Sequence, residues 1–189
     1  IGLVGSEMCK ETGASYDFLS QLYNRSTFER ELKSEIERSA HAKVAVLFID
    51  VDDFKFINDR FGHSVGDEVI KYVAGCIKQR VKGSGFAGRF GGDEFVLCIT
   101  DPKQIEEIES LSLDLIDELY EGYHSELANV SINVKASIGI AFYPEHGDDS
   151  NKVVAAADEA MYFVKKNGKA NYHIYQPEDS EMEDLQHTL

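Results

Sequence analysis

Two carboxylates carry most of the chemistry legible in this 189-residue sequence. Asp50 follows the apolar run Val44–Ile49, and Asp93 stands 43 residues later in Gly91-Gly-Asp-Glu94. A buried strand delivers Asp50 to its end, and a glycine-marked hairpin carries Asp93 at its tip. If that hairpin pairs beside the Asp50 strand, the two carboxylates converge. Hard oxygen ligands so placed suit Mg²⁺, which keeps several waters and shares its remaining positions with substrate phosphates. Such an ion lowers the pKa of a bound hydroxyl and stabilises charge on a pentavalent phosphorus. Lys55 lies five residues past Asp50, within reach of the same phosphates. Glycines at the hairpin apex let the backbone approach a ligand closely. An arbitrary pair of aspartates at a strand end and a turn tip is more often solvated than functional. The surrounding residues decide.

The elements that must position these groups follow from periodicity. Phe28, Leu32 and Ile36 recur every four residues behind Ser26, which reads as a helix N-cap. Val44–Ile49 is a strand by its length and β-branching. A helix runs from Gly66 to about Lys82. Phe86–Phe90 and Phe95–Thr100 are strands joined by the glycine pair. Pro102 opens an acidic helix to about Glu121, Val134–Phe142 alternates as a strand, Lys152–Lys166 is a helix, and Tyr172–Tyr175 closes as a strand. One hairpin inside an otherwise alternating chain predicts an α+β fold. Its form is a ferredoxin-like or palm-type mixed sheet with surrounding helices. Residues 1–16 read as the end of a linker, 17–176 as one domain, and 177–189 as a frayed acidic tail.

Composition bounds the partners. With 43% hydrophobic and 28% charged residues the chain can bury a core. A net charge of −15 repels nucleic-acid backbones and anionic membranes, so neither is an expected partner. Phosphorylated small molecules remain accessible through a metal ion or a local cluster of lysines. Three cysteines without CxxC spacing suit a reducing cytosol and argue against a disulfide framework. No apolar stretch approaches a membrane span. The expected setting is cytoplasmic, within a longer chain whose other parts carry sensing or anchoring segments.

These residues carry a resemblance. Phe90-Gly-Gly-Asp-Glu-Phe95 resembles the signature of the GGDEF family of bacterial diguanylate cyclases. So do Asp50-Val-Asp-Asp-Phe-Lys-Phe-Ile-Asn-Asp59 and Phe61-Gly-His-Ser-Val-Gly-Asp67. The similarity extends from Asp17-Phe-Leu-Ser20 with Asn24-Arg25, through Ser137-Ile-Gly-Ile-Ala141, to Ala157-Asp-Glu-Ala-Met-Tyr162. It implies a nucleotidyl-cyclase-like fold whose GGDEF segment is a β-hairpin. The implied reaction joins two GTP molecules into cyclic di-GMP and two pyrophosphates, with each protomer of a homodimer holding one GTP. On that pattern Asp50, Asp93 and the Val51 carbonyl hold Mg²⁺, with Mn²⁺ as a possible substitute. Asp93 takes the hydroxyl proton, Glu94 assists, and Lys55 stabilises the transferred phosphate. Phe54, Asn58, His63 and Asp67 match substrate-contacting positions, while Lys165 and Lys169 match triphosphate-facing ones.

Elementary chemistry agrees with that pattern. Guanine presents N1–H and N2–H₂ donors, which the acceptor-only carboxylate of Asp67 pairs with and an adenine edge does not supply. Taken singly, Asn58 could cap a turn, Asp67 could favour the N-terminus of the Gly66 helix, and His63 could be a surface histidine. One departure stands out. The Arg-x-x-Asp pair that binds product in many relatives falls here on Lys82 and Gly85, so feedback inhibition through it is not expected. Lys169, where arginine is frequent, keeps the charge.

Gly62-His-Ser-Val-Gly66 matches the nucleophile elbow of α/β-hydrolases, but an apolar strand must precede that motif and Lys55–Phe61 is not one. The rival reading is a GGDEF module that binds GTP or cyclic di-GMP without catalysis and regulates an attached domain. Loss of the signature carboxylates marks such modules, and here they are present.

Overall fold

The computed structural model describes residues 15–38 and 40–179. A six-stranded mixed sheet runs in the order β1-β3-β4-β2-β7-β8. Its strands are β1 (Tyr23–Asn24), β2 (Val44–Val51), β3 (Gly85–Arg89), β4 (Glu94–Thr100), β7 (Ala136–Tyr143) and β8 (Tyr172–Ile174). The helices are α1 (Arg25–Glu37), α2 (Phe54–Phe61), α3 (His63–Val81), α4 (Ile105–Glu121) and α5 (Ser150–Lys166). A separate small hairpin joins β5 (Tyr123–Ser125) to β6 (Val130–Ile132). Without β1, α2 and that hairpin, the order is the one that periodicity predicts. The fold is α+β, with β2 flanked by antiparallel partners β4 and β7.

Strand alternation divides the core. Leu47, Ile49, Phe95, Leu97, Ile138 and Ile140 face one layer with α3 and α4 residues such as Ile70, Ile77, Ile108 and Leu115. Val46, Phe48, Val96 and Ala141 face the other, against Phe28 and Leu32 of α1 and Val153, Ala157 and Met161 of α5. Both faces of β2 are covered, which is why residues 44–49 read as a continuous apolar run rather than an alternating one.

Several boundaries move. Asn24, not Ser26, caps α1: its side chain accepts the Thr27 N–H at 2.9 Å, and the Ser26 hydroxyl donates to it. Parallel pairing of Asn24 with Arg89 on β3 fixes the extended backbone that a cap requires. Gly62 ends α2 at φ 88°, and α3 starts at His63, three residues ahead of the predicted Gly66. Asp67 therefore sits beyond the first turn, so the helix-terminus explanation for it fails. Pro102 precedes α4 rather than opening it; Gln104 is the cap. The segment before Gly62-His-Ser-Val-Gly66 is helix α2, which removes the hydrolase elbow.

The domain edges are tied down more tightly than composition suggests. Tyr16, placed in the linker, bridges to Tyr23 and stacks on it with ring centroids 5.2 Å apart. Asp179, placed in the frayed tail, is buried; its carboxylate meets His173 Nε2 at 3.1 Å and accepts the Gln176 N–H at 2.8 Å. Residues 1–14 and 180–189 lie outside the described residues. Cys76 and Cys98 are free and buried. Among the described residues no helix is long and apolar enough to cross a membrane.

Candidate active site

The site forms where the central strand pair ends. β2 and β4 are antiparallel with Asp50 opposite Glu94, and the Val51 N–H donates to the Asp93 carbonyl at 3.1 Å. Hairpin and strand end are thereby locked in one register, and Asp93 comes close enough for its charge to act on Asp50. The turn itself is narrow: Phe90 N–H donates to the Glu94 carbonyl at 2.9 Å. Neither Gly91 nor Gly92 has a positive φ, so the glycines do not serve a left-handed turn. A Cβ at Gly91 would meet only the movable end of the Glu94 side chain, with Oε2 at 2.6 Å, and Gly92 borders open space.

Arg89 and Asp17 clamp the hairpin, and sequence reasoning gave neither a role. The Arg89 guanidinium donates to the carbonyls of Gly91 (3.0 Å) and Gly92 (2.7 Å) and pairs with Asp17 at 3.1 Å. Burial alone would raise the Asp17 carboxyl, but hydrogen bonds from Ser20 and Arg89 hold it below its ordinary value. Phe90 anchors the hairpin's other side, its ring 5.4 Å from Phe28 and 5.8 Å from Phe48.

Lys165 of α5 reaches the carboxylates directly. Its Nζ lies 2.5 Å from Asp50 and 2.8 Å from Asp52, and the latter side chain is wholly buried. Burial opposes the ammonium charge, but these two contacts outweigh it and raise the Lys165 pKa. Asp50 is also raised: burial dominates, Asp93 and Asp52 push the same way, and the Lys165 hydrogen bond opposes them without reversing the sign. Glu94 is raised by burial, then by Asp50, Asp158 and Asp93. Such crowding of buried negative charge is relieved by a cation.

Lys169 pairs with Asp53 at 2.7 Å on the surface nearby. On the other side, Gly66 fits against Asn58 and Phe54. A Cβ there would lie 1.9 Å from Asn58 Oδ1 and 3.3 Å from the Phe54 ring. Lys55, His63 and Asp67 are exposed on α2 and α3 and, among the described residues, hold no hydrogen-bond or ion-pair partner.

Known proteins share this chain's sequence pattern and its fold. The family model "Diguanylate cyclase, GGDEF domain" matches residues 14–171. The chain belongs to the GGDEF family. Among curated relatives, diguanylate cyclase TpbB of Pseudomonas aeruginosa is 34% identical over 174 residues, covering 88% of this chain and 38% of that protein. Signaling protein YkoW of Bacillus subtilis is 34% identical over 165 residues, covering 86% of this chain and 20% of that protein. The GGDEF chain thus spans well under half the length of these curated relatives. Of solved structures, the GGDEF domain of TpbB from P. aeruginosa superposes with TM-score 0.85 at 30% identity, over 89% of this chain and 99% of that one. The GGDEF domain of DgcB from Caulobacter crescentus, solved with c-di-GMP, gives TM-score 0.80 at 26% identity, over 86% and 96%.

In this GGDEF domain the structure gathers Asp50, Asp93, Glu94 and Lys165 at one strand end. Lys169 stands on a neighbouring loop, and Phe54, Asn58 and Gly66 meet between α2 and α3. Asp52 is a further residue that sequence reading passed over. Its signal was available: an acidic residue in alternation with Asp50, on the face where Val46 and Phe48 are buried.

Proposed function

We propose that this GGDEF domain condenses two GTP into cyclic di-GMP and two pyrophosphates, with two protomers each contributing one bound GTP. The observation that carries the reading is the register placing Asp50 beside the signature hairpin, with Lys165 against the same carboxylates. In the reaction each ribose 3′-oxygen bonds to the other nucleotide's α-phosphorus, the bond to pyrophosphate breaks, and the hydroxyl proton passes to Asp93. Lys55, Lys165 and Lys169 bind triphosphate oxygens. Asp67 and Asn58 take the guanine edge, with Phe54 and His63 bordering the substrate. An upstream regulatory domain brings the protomers together.

Asp50, Asp93 and the Val51 carbonyl fit a divalent ion. Two charged oxygens and one neutral oxygen match the few protein ligands Mg²⁺ takes, and Mn²⁺ shares that preference. Among the described residues no three acidic, His or Cys side chains form a larger cage. When bound, the ion neutralises triphosphate charge and acidifies the attacking hydroxyl.

The raised carboxyls give this assignment a pH signature. An acid whose folded pKa is raised binds its proton more tightly in the folded state. The ion-free protein therefore loses stability as pH climbs from the ordinary carboxylate range through the raised pKa of Asp50. A cation offsets that loss. Mg²⁺ at a hundredfold excess over its Kd is expected to raise Tm by about 8 °C at neutral pH. That gain should vanish as the pH drops below the Asp50 transition, measured by calorimetry with and without chelator.

Gly66→Ala is the expected probe of the guanine side. Its Cβ collides with the movable end of Asn58, so the fold survives while Asn58 is displaced. The GTP KM should rise about tenfold, the worth of one lost polar contact, with Tm nearly unchanged.

Product feedback through Lys82 and Gly85 is not expected. A Cβ at Gly85 would lie 1.8 Å from the Cys98 carbonyl oxygen, so strand pairing leaves no space there for the carboxylate of the inhibitory pair. The test is incubation of a dimeric sample with GTP and Mg²⁺, followed by chromatography. Cyclic di-GMP that accumulates without self-limitation supports both statements. GTP binding by a dimer that forms no product would leave a regulatory module instead.

A further inference from the structure

We propose that Asp52 is a positioning residue that aims Lys165 and the 168–170 loop at the nucleotide triphosphate. The inference rests on the GTP-binding reading above and extends it to a residue that touches neither metal nor substrate.

Three segments meet at this one carboxylate. Oδ1 accepts the Ser137 hydroxyl of β7 at 2.7 Å and lies 2.8 Å from Lys165 Nζ of α5. Oδ2 accepts the Ala170 N–H at 2.9 Å, from the loop that leaves α5. The backbone N–H of Asp52 donates to the Lys135 carbonyl at 2.8 Å. With its side chain fully out of solvent, the carboxylate is confined to these partners, since a buried charge left unpaired is strongly destabilising.

The loop it holds is strained. Gly168, Lys169 and Ala170 have φ of 106°, 61° and 47°, so two consecutive non-glycine residues adopt the left-handed conformation. Such a conformation persists only where surrounding contacts over-determine it. The Ala170 N–H bond to Asp52 is one such contact, and the Lys169–Asp53 pair at 2.7 Å is another. Asp50, Asp52 and Asp53 thus dock the α5 end: Lys165 is held by the end of β2 and the residue after it, and Lys169 pairs with Asp53 at the surface.

Asp52 and Asp50 differ in what they can give up. Lys165 shares its ammonium between them, and Asp50 is the oxygen donor assigned to the cation. An ion on Asp50 competes with Lys165 there. Asp52, wholly buried and tied to Ser137 and Ala170, keeps the ammonium in place and leaves its remaining N–H donors for a phosphate oxygen. Without Asp52 the lysine would be present but unaimed.

Asp52→Asn separates this role from simple support of the fold. The amide oxygen still accepts the Ala170 N–H, and the amide NH₂ can donate to the Ser137 hydroxyl. The same NH₂ faces Lys165, which has no acceptor to offer. The experiment is a double-mutant cycle of Asp52→Asn and Lys165→Met, with affinities for 3′-deoxy-GTP and for GMP measured by titration calorimetry in Mg²⁺. Each single variant should bind 3′-deoxy-GTP about tenfold more weakly and GMP as wild type does. The double variant should be no weaker than Lys165→Met alone.

Losses that multiply in the double variant, or equal losses for the two nucleotides, would overturn the assignment and leave Asp52 a structural ion pair. A wild-type protein that binds neither nucleotide would overturn the GTP reading and this one together. If Asp52→Asn does not fold, Ser137→Ala replaces it in the cycle. It should weaken 3′-deoxy-GTP binding about threefold in the wild-type background and not in Lys165→Met. An equal effect in both backgrounds would sink the proposal.

Discussion

Asp93→Asn is expected to give a folded GGDEF domain that binds GTP and forms no detectable cyclic di-GMP. The hairpin does not depend on the Asp93 side chain: its backbone carbonyl accepts the Val51 N–H, and Arg89 holds the neighbouring glycine carbonyls. Asparagine preserves shape, so Tm should stay within about 2 °C, as for a polar change away from the core. What asparagine lacks is the negative charge proposed to bind a divalent ion and the basicity proposed to take the 3′-hydroxyl proton. Loss of one general base alone costs about 10²- to 10⁴-fold, and loss of a metal ligand adds to it. A turnover reduction of at least about 10³-fold follows, read as product per dimer by chromatography. Retention of turnover within tenfold would return Asp93 to an ordinary turn residue and remove the chemistry assigned to the hairpin.

The part of this site that was legible in the sequence is the part carried by local pattern. A continuous apolar run gave β2, the glycine pair between apolar segments gave the β3–β4 hairpin, and adjacency in an antiparallel sheet brought Asp50 to Asp93. The unread part is made by contacts between segments far apart in the chain. Asp52 meets Ser137 and Ala170, separated from it by 85 and 118 residues, and Arg89 meets Asp17 across 72. Periodicity has no access to such pairs. β5 and β6, three residues each, are too short for alternation to register. The exchange of Ser26 for Asn24 as the α1 cap has the same origin. Both residue types cap well, and the choice is made by β1 pairing with β3.

Gly139→Ala is expected to damage the fold and the site together. A Cβ there would lie 2.0 Å from the Ala157 carbonyl oxygen and 2.1 Å from the Met161 nitrogen, both in the α5 backbone. Gly139 cannot retreat, because β7 is paired at this position with Phe48 of β2 and His173 of β8. Helix α5 must therefore lift off the sheet, opening its packing through Val153, Ala157 and Met161. This differs from Gly66, where the obstructing atom ends a side chain that can swing away. Overpacking against fixed backbone costs about 3 kcal/mol or more, a fall in Tm of roughly 10 °C for a domain of this size. Since α5 carries Lys165 to Asp50 and Asp52, activity should fall even at temperatures where the variant remains folded. A melting temperature within about 2 °C of wild type would mean that α5 rides further from β7 than these contacts require. The close approach of helix to glycine would then have no part in placing the lysine. If Tm falls and the residual folded fraction turns over GTP normally, α5 supports the sheet, but Lys165 finds its carboxylates without that docking.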